Sequence, residues 1–289
     1  MTKISLIVGQ SASLPKQIME RYSLTMIPFI VDWKADKDNL DPKSIFQKMA
    51  DAEAGNASDL PKTSHPAPWL FKKFFEEKIT NSDSVLFISL SSKLSATSEA
   101  ASFGKEMLKP GDKKKVFIFD CQNASAGEGL IAIKVAELIS QGRPVEEAVK
   151  ELEIFRQKVC TLASLKDLKW LEKGGRISHL TKSILSTFQK LGISLLFGIK
   201  NGRVEAVSLG FKQKTQAAVI FDFFKKNCKK GKFRIAIAHA QNEQAADELK
   251  NLIQKKCPSS EIIFTGPIDN IIGIHVGPGA LICAWHPLD

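Results

Sequence analysis

Over its first 160 residues the chain alternates short apolar runs with stretches whose apolar positions recur at helical spacing. Ile4–Val8, Thr25–Val31, Ser84–Leu90 and Val116–Phe119 have the length and the β-branched or aromatic content of strands. Between and after them, Pro15–Tyr22, Pro42–Ala50, Pro68–Ile79, Thr97–Leu108, Ser125–Ile139 and Val145 to about Val159 read as helices. In Pro68–Ile79 the side chains Leu70, Phe71, Phe74, Phe75 and Ile79 share one helical face, with Lys and Glu between them. Strands separated by helix-length segments predict a parallel sheet covered on both faces.

After Cys160 the regular alternation stops. Leu168–Glu172 reads as a short helix stopped by Gly174-Gly175, and Leu180–Leu191 as another. Val204–Leu209, Arg234–Ala240, Glu261–Thr265 and Leu281–Trp285 read as strands, Thr215–Asn227 and Glu243–Lys256 as helices. The expectation is a two-domain α/β fold: an α/β/α parallel-sheet domain over residues 1–160, then an α/β domain with a mixed sheet over 161–289.

Composition narrows the function. The 289 residues are 44% hydrophobic and 25% charged, as in an ordinary globular chain. The formal charge of +10 is carried mostly by scattered Lys; Arg occurs only at Arg21, Arg143, Arg156, Arg176, Arg203 and Arg234. Arg is the usual reader of guanine edges and the bidentate phosphate clamp, so a nucleic-acid partner is not expected. Cys121, Cys160, Cys228, Cys257 and Cys283 are odd in number and widely spaced, which suits unpaired thiols in a reducing cytoplasm rather than a disulfide framework or a structural zinc. Ile4–Val8 is too short for a secretory core, and no run approaches the ~18–20 apolar residues of a bilayer span, so a cytoplasmic location is expected.

The candidate chemistry lies in polar clusters where apolar runs meet turns or helix starts. In Pro61-Lys62-Thr63-Ser64-His65-Pro66-Ala67-Pro68, three prolines stiffen a loop; its Thr63 and Ser64 either order that loop or donate to an anion. Ser91-Ser92-Lys93-Leu94-Ser95-Ala96-Thr97 follows a strand and opens a helix, a place that favours anions; Ser95 is there a ligand contact or a simple N-cap. Lys173-Gly174-Gly175-Arg176-Ile177 sets a cation beside a Gly pair and is either a helix stop or a clamp for a carboxylate or phosphate. His275 precedes Gly277-Pro278-Gly279 and is structural or a partner for an acid group. Asp120 has no metal partner at fixed spacing and reads as a loop or cap residue; no catalytic triad, zinc motif, P-loop or dinucleotide fingerprint is present.

In this order and spacing, from about residue 3 to residue 287, the segments resemble the DegV family of bacterial lipid-binding proteins. The family's T-S-x-P-S-P corresponds to Thr63–Pro68, its S-S-K-L-S-G-T to Ser91–Thr97, its G-G-R-I to Gly174–Ile177, and its H-x-G-P-G to His275–Gly279. The resemblance implies a ligand site between two domains that takes one long-chain fatty acid. It implies no catalytic residue, cofactor or metal in this chain: a separate ATP-dependent fatty acid kinase subunit phosphorylates the bound carboxylate, and the acyl phosphate feeds phospholipid synthesis. Thr63 and Ser95 would then hold the carboxylate, with Ser64, Thr97, His275 and Gly277 in the same site, while Arg176 would lie near the head group or the docked kinase. Transient membrane contact during acyl exchange is compatible with it. Two other readings stay open: an enzyme acting on a small carboxylated or phosphorylated metabolite, with His275 as its base, and a basic module for nucleic acid or a membrane surface. The chain departs from the family at Gly9-Gln10-Ser11, where T-D-S is usual and an acid is lost. It also departs at Ala67 and Ala96, and at Ser194-Leu195-Leu196-Phe197, where K-P-I-L is usual and the added bulk is expected to reshape the tunnel.

Overall fold

The computed structural model describes residues 3–33, 45–54, 61–175, 194–210, 214–228 and 231–288. The predicted helix Leu180–Leu191, the start of the helix predicted at Pro42, and Arg176 lie outside them.

The first sheet begins with β1 (Ile4–Gly9), followed by α1 (Lys16–Arg21) and β2 (Leu24–Ile27). The single strand expected over Thr25–Val31 is two: β2 stops at Pro28, which has no N–H for the ladder, and the chain restarts as β3 (Ile30–Asp32). After α2 (Ile45–Ala54), β4 (Lys62–Ser64) pairs antiparallel with β3, setting Thr63 opposite Val31. Then come α3 (Pro68–Thr80), β5 (Ser84–Ser89), α4 (Thr97–Glu106), the short α5 (Pro110–Lys113), β6 (Val116–Asp120), α6 (Ala126–Ser140) and α7 (Val145–Phe155). The sheet is parallel, in the order β2-β1-β5-β6. Strand alternation divides its side chains. Ile7, Val85 and Phe87 face Phe71 and Phe75 of α3 and Ala100 and Ala101 of α4; Leu6, Val8, Leu86 and Ile88 face α6.

The second sheet is mixed. Its elements are β7 (Cys160–Ser164), α8 (Lys169–Lys173), β8 (Ser194–Lys200), β9 (Arg203–Gly210), α9 (Gln216–Asn227), β10 (Lys232–His239), α10 (Glu243–Lys256), β11 (Glu261–Pro267), α11 (Asn270–Val276) and β12 (Leu281–Leu288). The strand order is β11-β10-β12-β7-β8-β9; β10 and β11 are parallel and the other pairs antiparallel. Here Ile235, Ile237, Cys283 and Trp285 face α9 and α10, whereas Ala236, Ala238, Ile282 and Ala284 face α6. The molecule is therefore a stack of α3/α4, first sheet, α6/α7, second sheet and α9/α10, consistent with a parallel-sheet unit followed by a mixed-sheet unit.

Glycine lets two of these layers touch closely. A Cβ on Gly104 of α4 would stand 2.6 Å from both the Phe71 Cβ and the Pro68 carbonyl oxygen of α3. Polar groups, some partly and some fully buried, tie the middle layer to its neighbours. Arg234 of β10 donates through Nη1 to both oxygens of Glu137 on α6 (2.7 and 2.9 Å), and through Nε to Glu261 (2.9 Å). Glu128 of α6 is fully buried; its Oε1 accepts from Ser11 Oγ at 3.1 Å, and its Oε2 makes no hydrogen bond among the described residues. Burial pushes the Glu128 carboxyl well above the ordinary carboxylate range, with the charges of Asp120 and Asp269 adding to the rise.

Two outcomes are expected. Gly104→Ala should cost about 1–3 kcal/mol in denaturant unfolding, because the neighbouring atoms include backbone. For Glu128 the folded state keeps a proton that the unfolded chain loses above its ordinary value of 4.5, so stability falls as pH rises from there towards the raised folded value. Unfolding curves across pH should show Glu128→Gln gaining on the natural protein as pH rises through that window; parallel profiles would show that Glu128 ionises freely in the fold.

Candidate functional site

A cavity of about 750 Å³ opens where the carboxyl edge of the first sheet faces β7, β8, β9 and α11. Most of its wall is apolar, including Phe29, Leu94, Leu171, Phe197, Ile271 and Ile272. Polar atoms in the lining come from Thr63, Ser64, Ser95, Ser125, Thr161 and His275.

Thr63 comes from the β3–β4 ribbon and His275 from the last turn of α11, 212 residues away; Thr63 Oγ1 and His275 Nε2 are 2.8 Å apart. The helix α11 is too brief to be foreseen from periodicity. It is held by an Asp269 N-cap, whose Oδ1 accepts from Ile271 N–H at 2.9 Å, and by tight packing: a Cβ on Gly273 would lie 2.3 Å from the Phe46 ring. Gly174 gives His275 its room, since a Cβ there would stand 2.8 Å from His275 Nδ1, and Gly175 takes a left-handed φ of +69°. The backbone at Gly174 is thus shaped around the imidazole.

Ser95 follows β5 in a tight turn, its N–H donating to Ser91 O at 3.1 Å. Its hydroxyl lies 2.8 Å from Oγ1 of the fully buried Thr97. The N-cap of α4 is Ala96 with no side-chain cap, so Ser95 is not the N-cap that its position suggested. Ala67 likewise occupies the N-cap of α3 without a side-chain bond, and His65 is engaged with Pro66 O at 3.0 Å rather than compensating. Ser91 Oγ reaches across to the second unit and donates to Gly202 O at 2.7 Å. Gly202 and Asn201, with φ of 78° and 48°, form the turn between β8 and β9. That contact brings Arg203 and Lys93 to the cavity.

The other expected residues are placed as follows. Neither Gly277 nor the fully buried Thr97 lines the cavity; Gly277 ends α11 at a positive φ, where a Cβ would stand 2.1 Å from the Trp170 ring. Asp120 orders its loop, accepting from Ser92 N–H and Gln122 N–H at 3.2 and 2.9 Å. Ser194 opens β8, while Leu195 and Leu196 of the divergent segment are buried and Phe197 forms wall. Among the described residues, no three His, Cys, Asp or Glu side chains are grouped to hold a metal ion. No helix among them is long and apolar enough to cross a membrane.

Reading the sequence alone missed several wall residues. Ser125 sits between β6 and α6 with φ 50° and ψ −133°, a conformation L-residues rarely adopt, and its Oγ donates to Ser13 Oγ at 3.1 Å. A strand running into Ser-Ala-Gly-Glu-Gly was the available signal. Thr161 donates to Asn123 Oδ1 at 2.7 Å, joining β7 to the loop after β6. Arg203 was readable through the Asn-Gly hairpin before it. The Gly9-Gln10-Ser11 turn does not lack an acid in space: Gln10 Nε2 donates to Asp269 Oδ2 at 3.0 Å.

Comparison with known proteins bears on this architecture. A protein-family model described as "Uncharacterised protein, DegV family" matches residues 3–287. The chain is 28% identical over 288 residues to "Protein DegV" of Bacillus subtilis, covering 98% of each. It is 29% identical over 289 residues to "Fatty acid-binding protein" of Thermotoga maritima, covering 96% of each. A solved Thermus thermophilus structure, described as fatty acid binding of a DegV family protein, superposes with a TM-score of 0.84 at 26% identity, over 99% of this chain and all of that one. The chain belongs to the DegV family.

Proposed function

We propose that this protein binds one long-chain fatty acid in the cavity, with the carboxylate at the polar side and the acyl chain along the apolar wall. In this reading it is a carrier in the cytoplasm that presents the carboxylate to a separate ATP-dependent kinase, and it performs no chemistry itself. The observation that carries the reading is the Thr63–His275 pair, 2.8 Å apart, in a cavity that Ser95 also lines and whose wall is mostly apolar. Relatives named or described as fatty acid-binding support it.

The energetics agree. Each buried CH₂ contributes about 0.8 kcal/mol, so a C16–C18 chain supplies ample affinity without a buried counter-charge. Thr63, Ser95 and His275 would orient the carboxylate by hydrogen bonds, with Ser64 and the buried Thr97 beside them. Held by neutral hydroxyls, its oxygens keep the electron density that a phosphoryl acceptor needs. Lys93 and Arg203 at the cavity suit an incoming phosphoryl group, a role in which Arg176 would join them. The resulting acyl phosphate would be an activated donor for phospholipid synthesis, and the acid would be loaded during brief contact with a membrane surface.

Native mass spectrometry of the purified protein should show one C14–C20 fatty acid per chain, released into organic solvent. Thr63→Val and Ser95→Ala should each weaken fatty acid binding roughly tenfold, the loss of one hydrogen bond of about 1.4 kcal/mol. A protein that is empty and also refuses added palmitate and oleate would overturn the carrier reading.

A further inference from the structure

His275 is only as well placed as the short helix that carries it. With 7 residues, α11 is far below the length at which a helix holds itself together. Its side contacts include Phe46 against Gly273 and Trp170 against Gly277, and its starting point is set by the cap at Asp269. A shift of about 1 Å away from Thr63 takes Nε2, now 2.8 Å from Thr63 Oγ1, outside hydrogen-bonding range.

Asp269 is itself clamped from the first unit, by two side chains 259 and 256 residues earlier in the chain. Gln10 spans two elements: its Oε1 accepts from Phe29 N–H at 2.9 Å, and its Nε2 donates to Asp269 Oδ2 at 3.0 Å. Asp269 N–H donates to Ser13 Oγ at 3.2 Å, the same oxygen that accepts from Ser125 Oγ. Phe29, Ser125, Ile271, Ile272 and His275 all line the cavity. The Gln10 amide thus meets, on its two sides, the backbone of one cavity wall and the capping carboxylate of another.

We propose that Gln10 and Asp269 are a positioning couple that fixes α11 against the β3–β4 ribbon and so sets His275 on Thr63. Neither touches the ligand in this arrangement; both act through His275. The effect on affinity rests on the fatty acid reading above, whereas the effect on the Thr63–His275 bond does not.

The couple is directional, which permits an exchange test. In Gln10→Glu two carboxylates face each other with no donor between them. In Asp269→Asn an amide nitrogen meets an amide nitrogen, or the cap on Ile271 is lost. In the double variant Gln10→Glu/Asp269→Asn the pattern is restored with the acid on the opposite side. The carboxylate introduced at position 10 has no proton to donate and needs donors on both sides: Phe29 N–H supplies one, and the amide nitrogen introduced at position 269 supplies the other. The amide oxygen at position 269 would still cap Ile271. Net charge changes in each single variant and not in the double.

Two readouts on the full chain decide it. The ring-nitrogen NMR signal of His275 in ¹⁵N-histidine-labelled protein reports its bond to Thr63 without any ligand. Displacement of a fluorescent fatty acid by palmitate reports affinity. Each single variant is expected to shift the His275 signal and to weaken palmitate roughly tenfold or more; the double variant is expected to recover the signal and to bind within about threefold of the natural protein. Single variants that leave the His275 signal in place, or a double variant that fails to recover it, would overturn the proposal. If a single variant does not fold, the double variant decides in the same way. If the natural protein binds no palmitate, the carrier reading fails and the His275 signal alone still tests the couple.

Discussion

The structure depends on one helix being buried on every side. Eleven of the 15 residues of α6 are buried, and they include Glu128 as well as Leu130, Ile131, Ile133, Val135 and Leu138. A helix apolar all round has no solvent face to offer, so it must lie between two layers. Here those layers are two sheets. The second turns its smaller residues inward: Ala236, Ala238 and Ala284 meet α6, while the bulk of Ile235, Ile237 and Trp285 points the other way. Small side chains bring the second sheet close to the helix, and dispersion contacts grow with that closeness. The two units therefore share a core instead of meeting at a wet interface, and the Arg234–Glu137 pair adds direction to a contact whose strength is apolar.

That shared helix also explains where the cavity is. Just before α6 the two units are tied together, Thr161 Oγ1 of β7 donating to Asn123 Oδ1. Gly127 fits only because it has no side chain: a Cβ would lie 2.1 Å from Asn123 Oδ1 and 2.2 Å from Thr161 Oγ1. Just before it, Ser125 takes its strained conformation and the chain turns back towards β6. The cavity begins at Ala124 and Ser125, where the filling helix ends and nothing of its bulk replaces it. The space is kept open on its other sides by backbone-level contacts, Ser91 to Gly202 and Gln10 to Phe29, that join separate segments of the chain. A cavity of this kind is a product of packing on a rigid frame, so its polar groups can be aligned before any ligand arrives.

What was legible in the sequence follows the range of the physics. Periodicity gave β1, β5 and β6, the helices α3, α4, α6 and α7, and the regular α9 and α10, because each is long enough to carry its own pattern. It failed for β7, whose Cys160–Ser164 run is too small and mixed to look like a strand, and for β8, where a divergent segment hid an ordinary buried strand. It failed for α11, which is held by its Asp269 cap and by packing rather than by its own length. At the site, Thr63 and Ser95 were readable as hydroxyls where apolar runs meet turns and helix starts, Ser95 at the end of a parallel strand. Their relation to His275, and the tie between Gln10 and Asp269, were not, since both join opposite ends of the chain.

The chemistry of the polar side then sets what kind of head group it suits. Arg or Lys directly against a carboxylate would bind it more firmly but would also withdraw its electrons and lower its reactivity as a nucleophile. Hydroxyls and an imidazole share the load over several weaker bonds, each worth about 1 kcal/mol net, while the apolar wall supplies the bulk of the affinity. Under the proposed carrier reading, holding and reactivity would fall to different surfaces: the wall formed by Phe29, Leu171, Phe197 and Ile272 would retain the ligand, and Thr63, Ser95 and His275 would orient it. With Lys93 and Arg203 also at the cavity, the same reading would leave positive charge for a group that arrives from outside rather than spend it on the carboxylate. A site so divided favours ligands with a long apolar tail, because a small acid would have only the weaker half of it to hold.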